Sequence, residues 1–153
     1  MPSDLAFEAS EACHCLAFRR AARRVTQFYD DCMAASGLRV TQYSILSRLK
    51  RLGPMTINQL AAEMELDRTT LGRNILPLQR AGLIAVGKGS TDRRSKELRV
   101  TEAGVARLRA ANRSWTEAQA QFEAVFGRAR TTELRSLLRE VTTNGLRSAP
   151  AAA

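Results

Sequence analysis

Apolar positions recur along this chain with two different periods. Between residues 10 and 35, Cys13, Leu16, Ala17, Ala21, Val25, Phe28 and Cys32 return every three or four residues with arginines between them. That spacing predicts an amphipathic helix. Gly37 predicts its end, and Thr41 predicts the N-cap of a second helix over "QYSILSRLKRL", closed by Gly53-Pro54. Thr56 predicts the cap of a short helix that turns Leu60, Ala61 and Met64 inward. Asp67 predicts the cap of the next, with Leu71, Ile75 and Leu78 on one face and Gly82 at its end. Pro77 removes one intrahelical hydrogen bond from that helix and predicts a bend near Arg73. The period then shortens. "LIAVGKG" and "KELRVT" predict two short strands around a glycine-flanked loop. Thr101 predicts the cap of a long helix over about 102–127, striped with Val105, Leu108, Ala111, Trp115, Ala118, Phe122 and Val125. Gly127 closes it. Thr131 or Thr132 predicts the start of a last helix, with Leu134, Leu137, Leu138 and Val141 on its apolar side.

The expected fold is therefore mainly α with a small β-wing (α+β). Residues 41–101 run helix, helix, helix, strand, loop, strand, the order of a winged helix-turn-helix. Residues 1–40 form an N-terminal arm and residues 102–146 a pair of C-terminal helices, and residues 10–35 and 102–146 are more amphipathic than a sixty-residue module requires. Two such arms predict a two-fold homodimer that buries its stripes against its mate. Residues 147–153 are expected to be a disordered tail.

Charge sharpens this organisation. The chain has 153 residues and a formal net charge of +9. Residues 1–40 are neutral, residues 41–100 carry eleven cations against five acids, and the remainder carries eight against five. A basic middle predicts a polyanionic partner, double-stranded DNA. A helix about 10–12 Å across fits a major groove about 12 Å wide. On the helix after Asp67, Arg68 and Arg73 can pair with phosphate or guanine. Thr69 and Thr70 can donate to phosphate or touch a thymine methyl, and Asn74 can read an adenine edge. In the loop, Arg93 or Arg94 can enter the minor groove, with Asp92 holding one guanidinium in a fork-shaped pair.

Other chemistry is sparse. The chain lacks a Walker loop, a Gly-x-Ser-x-Gly elbow and HExxH, and has a single histidine, so an enzyme is not expected. No cofactor is implied. Three cysteines, an odd count, argue against a disulfide framework. Cys13, His14 and Cys15 diverge by about 100° per step on a helix and cannot close one tetrahedral metal site. No apolar run approaches the ~20 residues of a membrane span, and the N-terminus lacks the basic region of a secretory signal. The expected location is the cytoplasm. An architectural DNA-binding protein and a winged-helix protein adaptor are the rival readings.

"LRVTQYSILSRL", "GPMTINQLAAEMELDRTTLGRNILPLQRAGLI" and "DRRSKELRVTEAG" resemble the MarR (multiple antibiotic resistance regulator) family over roughly residues 10 to 146. The resemblance implies a homodimeric bacterial transcription regulator, usually a repressor, whose first, fifth and last helices interlock. It singles out Arg94, with Asp92, as the minor-groove residue. It also implies release from DNA by a small ligand, often an aromatic carboxylate, or by an oxidant. For the ligand the candidate lining is His14, Cys15, Arg19, Tyr43, Leu46 and Trp115. For the oxidant, Cys15 falls where the family's peroxide sensors carry a reactive thiol and Tyr29 where one supporting tyrosine stands. Val40 occupies the place of the second tyrosine. Arg19, four residues beyond Cys15, could supply the cation a thiolate needs.

Overall fold

The computed structural model describes residues 12–144 and residue 146. Six α-helices and three short strands follow one another in these residues. They are α1 (His14–Met33), α2 (Val40–Leu52), β1 (Met55–Thr56), α3 (Ile57–Glu63), α4 (Arg68–Arg80), β2 (Ile84–Lys88), β3 (Lys96–Val100), α5 (Glu102–Phe126) and α6 (Arg128–Thr143). A 3-10 turn, Ala34–Ser36, follows α1. The chain divides into two compact units, Met1–Ala118 and Gln119–Ala153, with the division inside α5. The expected tail, residues 147–153, and the expected first turns before Ala12 lie outside the described residues.

In the first unit, one core gathers Met33 from α1, Ile45, Leu46 and Leu49 from α2, Leu60 from α3, Leu71, Ile75 and Leu78 from α4, Ile84 and Leu98 from the sheet, and Leu108 and Ala111 from α5. The inward faces predicted for α3 and α4 are the buried ones, with Met64 half-buried at the rim. Thr56 caps α3 as expected: its hydroxyl accepts the Gln59 N–H and the Gln59 side chain returns to the Thr56 N–H. Asp67 caps α4 by accepting the Thr70 N–H at 2.8 Å. Pro77 lies inside an unbroken α4 that runs on to Arg80.

Two helix starts differ from expectation. α2 begins at Val40, before Thr41, because Asp30 of α1 accepts the Val40 N–H at 2.7 Å and Gln42 accepts the Arg39 N–H. A carboxylate brought in from another helix does the work of a local cap. α6 begins at Arg128, three residues before Thr131. The Thr131 and Thr132 hydroxyls donate back to the carbonyls of Gly127 and Arg128, as threonines within a helix do.

The sheet has an unexpected third strand. Its order is β1-β3-β2, all antiparallel, with Met55 opposite Leu98 and Thr56 opposite Glu97. Two residues are too few to show an alternating pattern. The base of the β2–β3 hairpin is locked to α5 through Thr101. Its hydroxyl donates to the Gly82 carbonyl at 2.6 Å and accepts the Gly104 N–H at 3.0 Å. Gly104 sits so close to the Leu83 carbonyl that a Cβ there would collide with it. The "VTEAG" run thus welds hairpin to helix.

In the second unit, Phe122 and Phe126 stack at 4.8 Å, and α6 leaves Leu134, Leu137, Leu138 and Val141 exposed. In the first unit, α1 leaves Leu16, Phe18 and Val25 exposed and buries only Tyr29 and Met33. Among the described residues no helix is long and apolar enough to cross a membrane.

Candidate nucleic-acid interface

α3 and α4 form a helix-turn-helix through Met64–Leu66, with Glu65 at a positive φ of 50°. α4 turns Leu71, Ile75 and Leu78 into the core, which leaves Arg68, Thr69 and Arg73 exposed on the remaining surface. Two of the expected readers are already engaged. The Thr70 hydroxyl donates to Asp67 Oδ2 at 2.6 Å, so its proton completes the cap and is not offered outward. Asn74 Nδ2 donates to the Thr70 carbonyl at 2.9 Å, one turn back along its own helix. The Thr70 hydroxyl, then its N–H, draws the Asp67 carboxyl below the usual carboxylate range.

The hairpin loop is a closed turn. Gly89 N–H donates to the Ser95 carbonyl, and Ser95 donates both its N–H and its hydroxyl to the Asp92 carbonyl. A Cβ on Gly89 would run into that carbonyl and the Ser95 hydroxyl, so the turn needs glycine there. The fork-shaped pair expected of Asp92 is not formed. Asp92 Oδ1 accepts the backbone N–H of Arg94 at 2.9 Å, a bond within its own turn that immobilises no long side chain. Arg93 and Arg94 are exposed, and neither has an ion pair among the described residues.

The strand register adds a feature that the linear sequence hides. Lys88 and Lys96 stand directly opposite one another at the mouth of the loop, both exposed and without an ion pair among the described residues. Like charges directly opposite destabilise a hairpin. Here they add to Arg93 and Arg94, with Asp92 spent on the turn.

The residues expected to bind an effector do not all meet. Tyr43 of α2 stacks on Trp115 of α5 with centroids 5.6 Å apart, and its hydroxyl donates to Asn112 Oδ1 at 3.0 Å. Burial raises the Tyr43 phenol above its usual value of 10.0. A cleft of about 420 Å³ opens beside this pair, lined by Tyr43, Ser47, Arg48, Arg51, Glu63 and Trp115. A second, of about 480 Å³, shares Tyr43, Ser47 and Arg51 and adds Leu108 and Asn112. Leu46 does not line either. It is fully buried in the core, because α2 turns Ile45, Leu46 and Leu49 inward. His14, Cys15 and Arg19 are exposed on α1 and line neither cleft. Arg48, Arg51 and Glu63 line the first cleft without having been expected there. Their separation in sequence hides a meeting that only the α2–α3 packing makes.

Cys13 and Cys15 are exposed. Tyr29 is fourteen residues beyond Cys15 on one continuous helix, about 21 Å along its axis, so the two do not touch within one chain. Among the described residues no group of three His, Cys, Asp or Glu is placed to hold a metal ion.

A helix-turn-helix followed by a hairpin, both carrying exposed cations without acidic partners, is the architecture of a duplex-DNA-binding regulator. The MarR family profile matches residues 38–96. The Mycobacterium tuberculosis transcriptional regulator MosR, solved in complex with DNA, is 35% identical. The match covers 86% of this chain and 95% of that one, with a TM-score of 0.76. The transcriptional repressor CouR, bound to a 23-mer DNA duplex, is 27% identical over 88% of this chain and 94% of that one, with a TM-score of 0.76. BpsR of Bordetella bronchiseptica shares the fold at 22% identity, a TM-score of 0.74, and coverage of 86% and 94%. No curated protein sequence matches the chain. The chain belongs to the MarR family of DNA-binding transcriptional regulators.

Proposed function

We propose that the protein is a cytoplasmic homodimeric repressor that binds a pseudo-palindromic operator and leaves it when an aromatic carboxylate enters the cleft beside Trp115. The observation that carries the DNA half is the surface of one module: Arg68, Thr69 and Arg73 on α4, and Arg93 and Arg94 on the hairpin, are all exposed around a buried apolar core. α4 enters the major groove, where Arg73 reads base or phosphate. Arg94 enters the flanking minor groove, its direction set by the turn that Asp92 closes. MosR and CouR, both solved with DNA, support duplex DNA as the partner. The uncovered apolar stripes of α1 and of α6 support a second copy as the mate of each arm. Half-sites then lie about one helical turn apart.

Selection of bound sequences from random duplex DNA tests the reading. It should recover an inverted repeat, and binding should weaken steeply with salt. Arg94→Ala should weaken binding to that sequence while the purified protein stays a folded dimer. A monomer that ignores every duplex at low salt would overturn the proposal.

The effector half rests on the cleft, whose lining combines a stacked pair of rings with two arginines. BpsR, alike in fold, has its DNA binding regulated by 6-hydroxynicotinic acid, a ring bearing a carboxyl group. A thiol-based response to peroxide is the second reading, favoured by the exposure of Cys15. Under that reading Cys15→Ser abolishes release by hydroperoxide. Under the first it leaves release by carboxylates intact.

A further inference from the structure

The arginines of the Trp115 cleft are already occupied. Arg48 Nη1 lies 2.8 Å from Glu63 Oε1, and Arg51 Nη2 lies 3.8 Å from the same oxygen. Arg48 and Arg51 belong to α2, on the face that also carries Tyr43, Ser44 and Ser47 into the cleft. Glu63 is the last residue of α3. Four residues later comes Asp67, the cap of α4, and between them Glu65 holds a positive φ that is uncommon outside glycine. A single carboxylate therefore ties the cleft wall to the end of the first helix of the helix-turn-helix, one strained turn away from the recognition helix.

An anionic ligand stacked against Trp115 needs these same two guanidinium groups. We propose that an aromatic carboxylate in the cleft takes Arg48 and Arg51 from Glu63, and that loss of this latch shifts α4 out of its DNA-binding setting. The inference rests on the effector reading above and states how that site acts. Two carboxylates cannot share the pair cheaply, since they repel at contact distance. The Glu63 side chain is 35% exposed, so it has a path to solvent. Its departure leaves Met64 and the strained Glu65, both cleft-lining, without the tie across to α2. Ligand and operator then oppose each other by one reciprocal factor. An exposed pair of this kind corresponds to roughly a two- to five-fold change in an equilibrium constant.

Trp115 is the single tryptophan in the chain, so its fluorescence reports occupancy of the cleft without DNA. The probe is benzoate, with benzamide as its uncharged counterpart. Benzoate should quench the full-length protein and benzamide should not. Glu63→Gln should bind benzoate about two- to five-fold more tightly. Free of ligand, it should already bind the selected operator more weakly by a similar factor, and benzoate should add little further loss. The exchanged pair Arg48→Glu with Glu63→Arg should recover ligand-free operator binding. If Glu63→Gln matches the unmodified protein in benzoate affinity and in benzoate-driven release, the latch is wrong while the cleft stands. If benzoate leaves Trp115 fluorescence unchanged in both proteins, the effector reading falls. Ligand-free operator affinity still judges the latch, and equality between Glu63→Gln and the unmodified protein removes it.

Discussion

Lys88 and Lys96 face each other across the mouth of the wing, an arrangement that works against the fold in the absence of an anion. Side chains directly opposite in an antiparallel pair have Cβ atoms about 5 Å apart. Two unit charges about 6 Å apart in water repel by about 0.7 kcal/mol before salt screening. Replacing Lys96 by Glu turns repulsion into attraction. The hairpin should gain about 0.2–1 kcal/mol, seen as a rise in Tm of up to about 4 °C. Operator binding should move the opposite way if both lysines sit on phosphates flanking the minor groove. Each phosphate contact contributes about 0.9 to the slope of log K against log salt. Over a fourfold rise in salt, one lost contact therefore spares the variant about 3.5-fold of the fall seen in the unmodified protein. Differential scanning fluorimetry and fluorescence anisotropy over a salt series measure the two quantities on the same samples. Lys96→Gln is the control: it loses the contact without introducing an acid near DNA, and its slope should drop by about 0.9. A Lys96→Glu protein that is more stable yet binds the operator with undiminished affinity and slope would refute the phosphate role. One that is no more stable would refute the repulsion.

Arg73→Ala should lower discrimination between operator and mismatched sites by roughly 1–3 kcal/mol if it makes a bidentate base contact, and weaken all duplexes alike if it touches phosphate only. Gly104→Ala should destabilise the fold by about 1–3 kcal/mol, because the added methyl meets the Leu83 carbonyl and Val100. A chemical melt of the variant measures it. The raised phenol of Tyr43 predicts that one of the two tyrosines titrates above 10 in a spectrophotometric pH series. The sign follows: the stability it contributes is complete below the unfolded value near 10.0 and is lost as pH rises through the higher folded value. Tyr43→Phe should flatten that alkaline loss.

Much of the architecture is set locally and could be read from the chain. Thr56, Asp67 and Thr101 act on backbone groups within three residues, so their capping roles need no distant partner. Leu71, Ile75 and Leu78 share a face through helical period alone. The basic face of α4 is what remains once that face is assigned, and "GKGSTDRRSKELRVTEAG" carries both Gly89 and Asp92, which close the hairpin turn.

Other features arise where segments meet in the fold, and their separation in sequence carries no signal of it. Asp30 starts α2 in place of Thr41, because a carboxylate on a packed neighbour reaches an orphan N–H first. Asp92 closes its own turn and does not grip an arginine, since the shorter reach costs less entropy. Leu46 goes to the core, while Arg48 and Arg51 line the cleft with Glu63, a choice made by which side of α2 the other helices cover. Lys88 comes to face Lys96 through strand register, a property of two segments together and of neither alone.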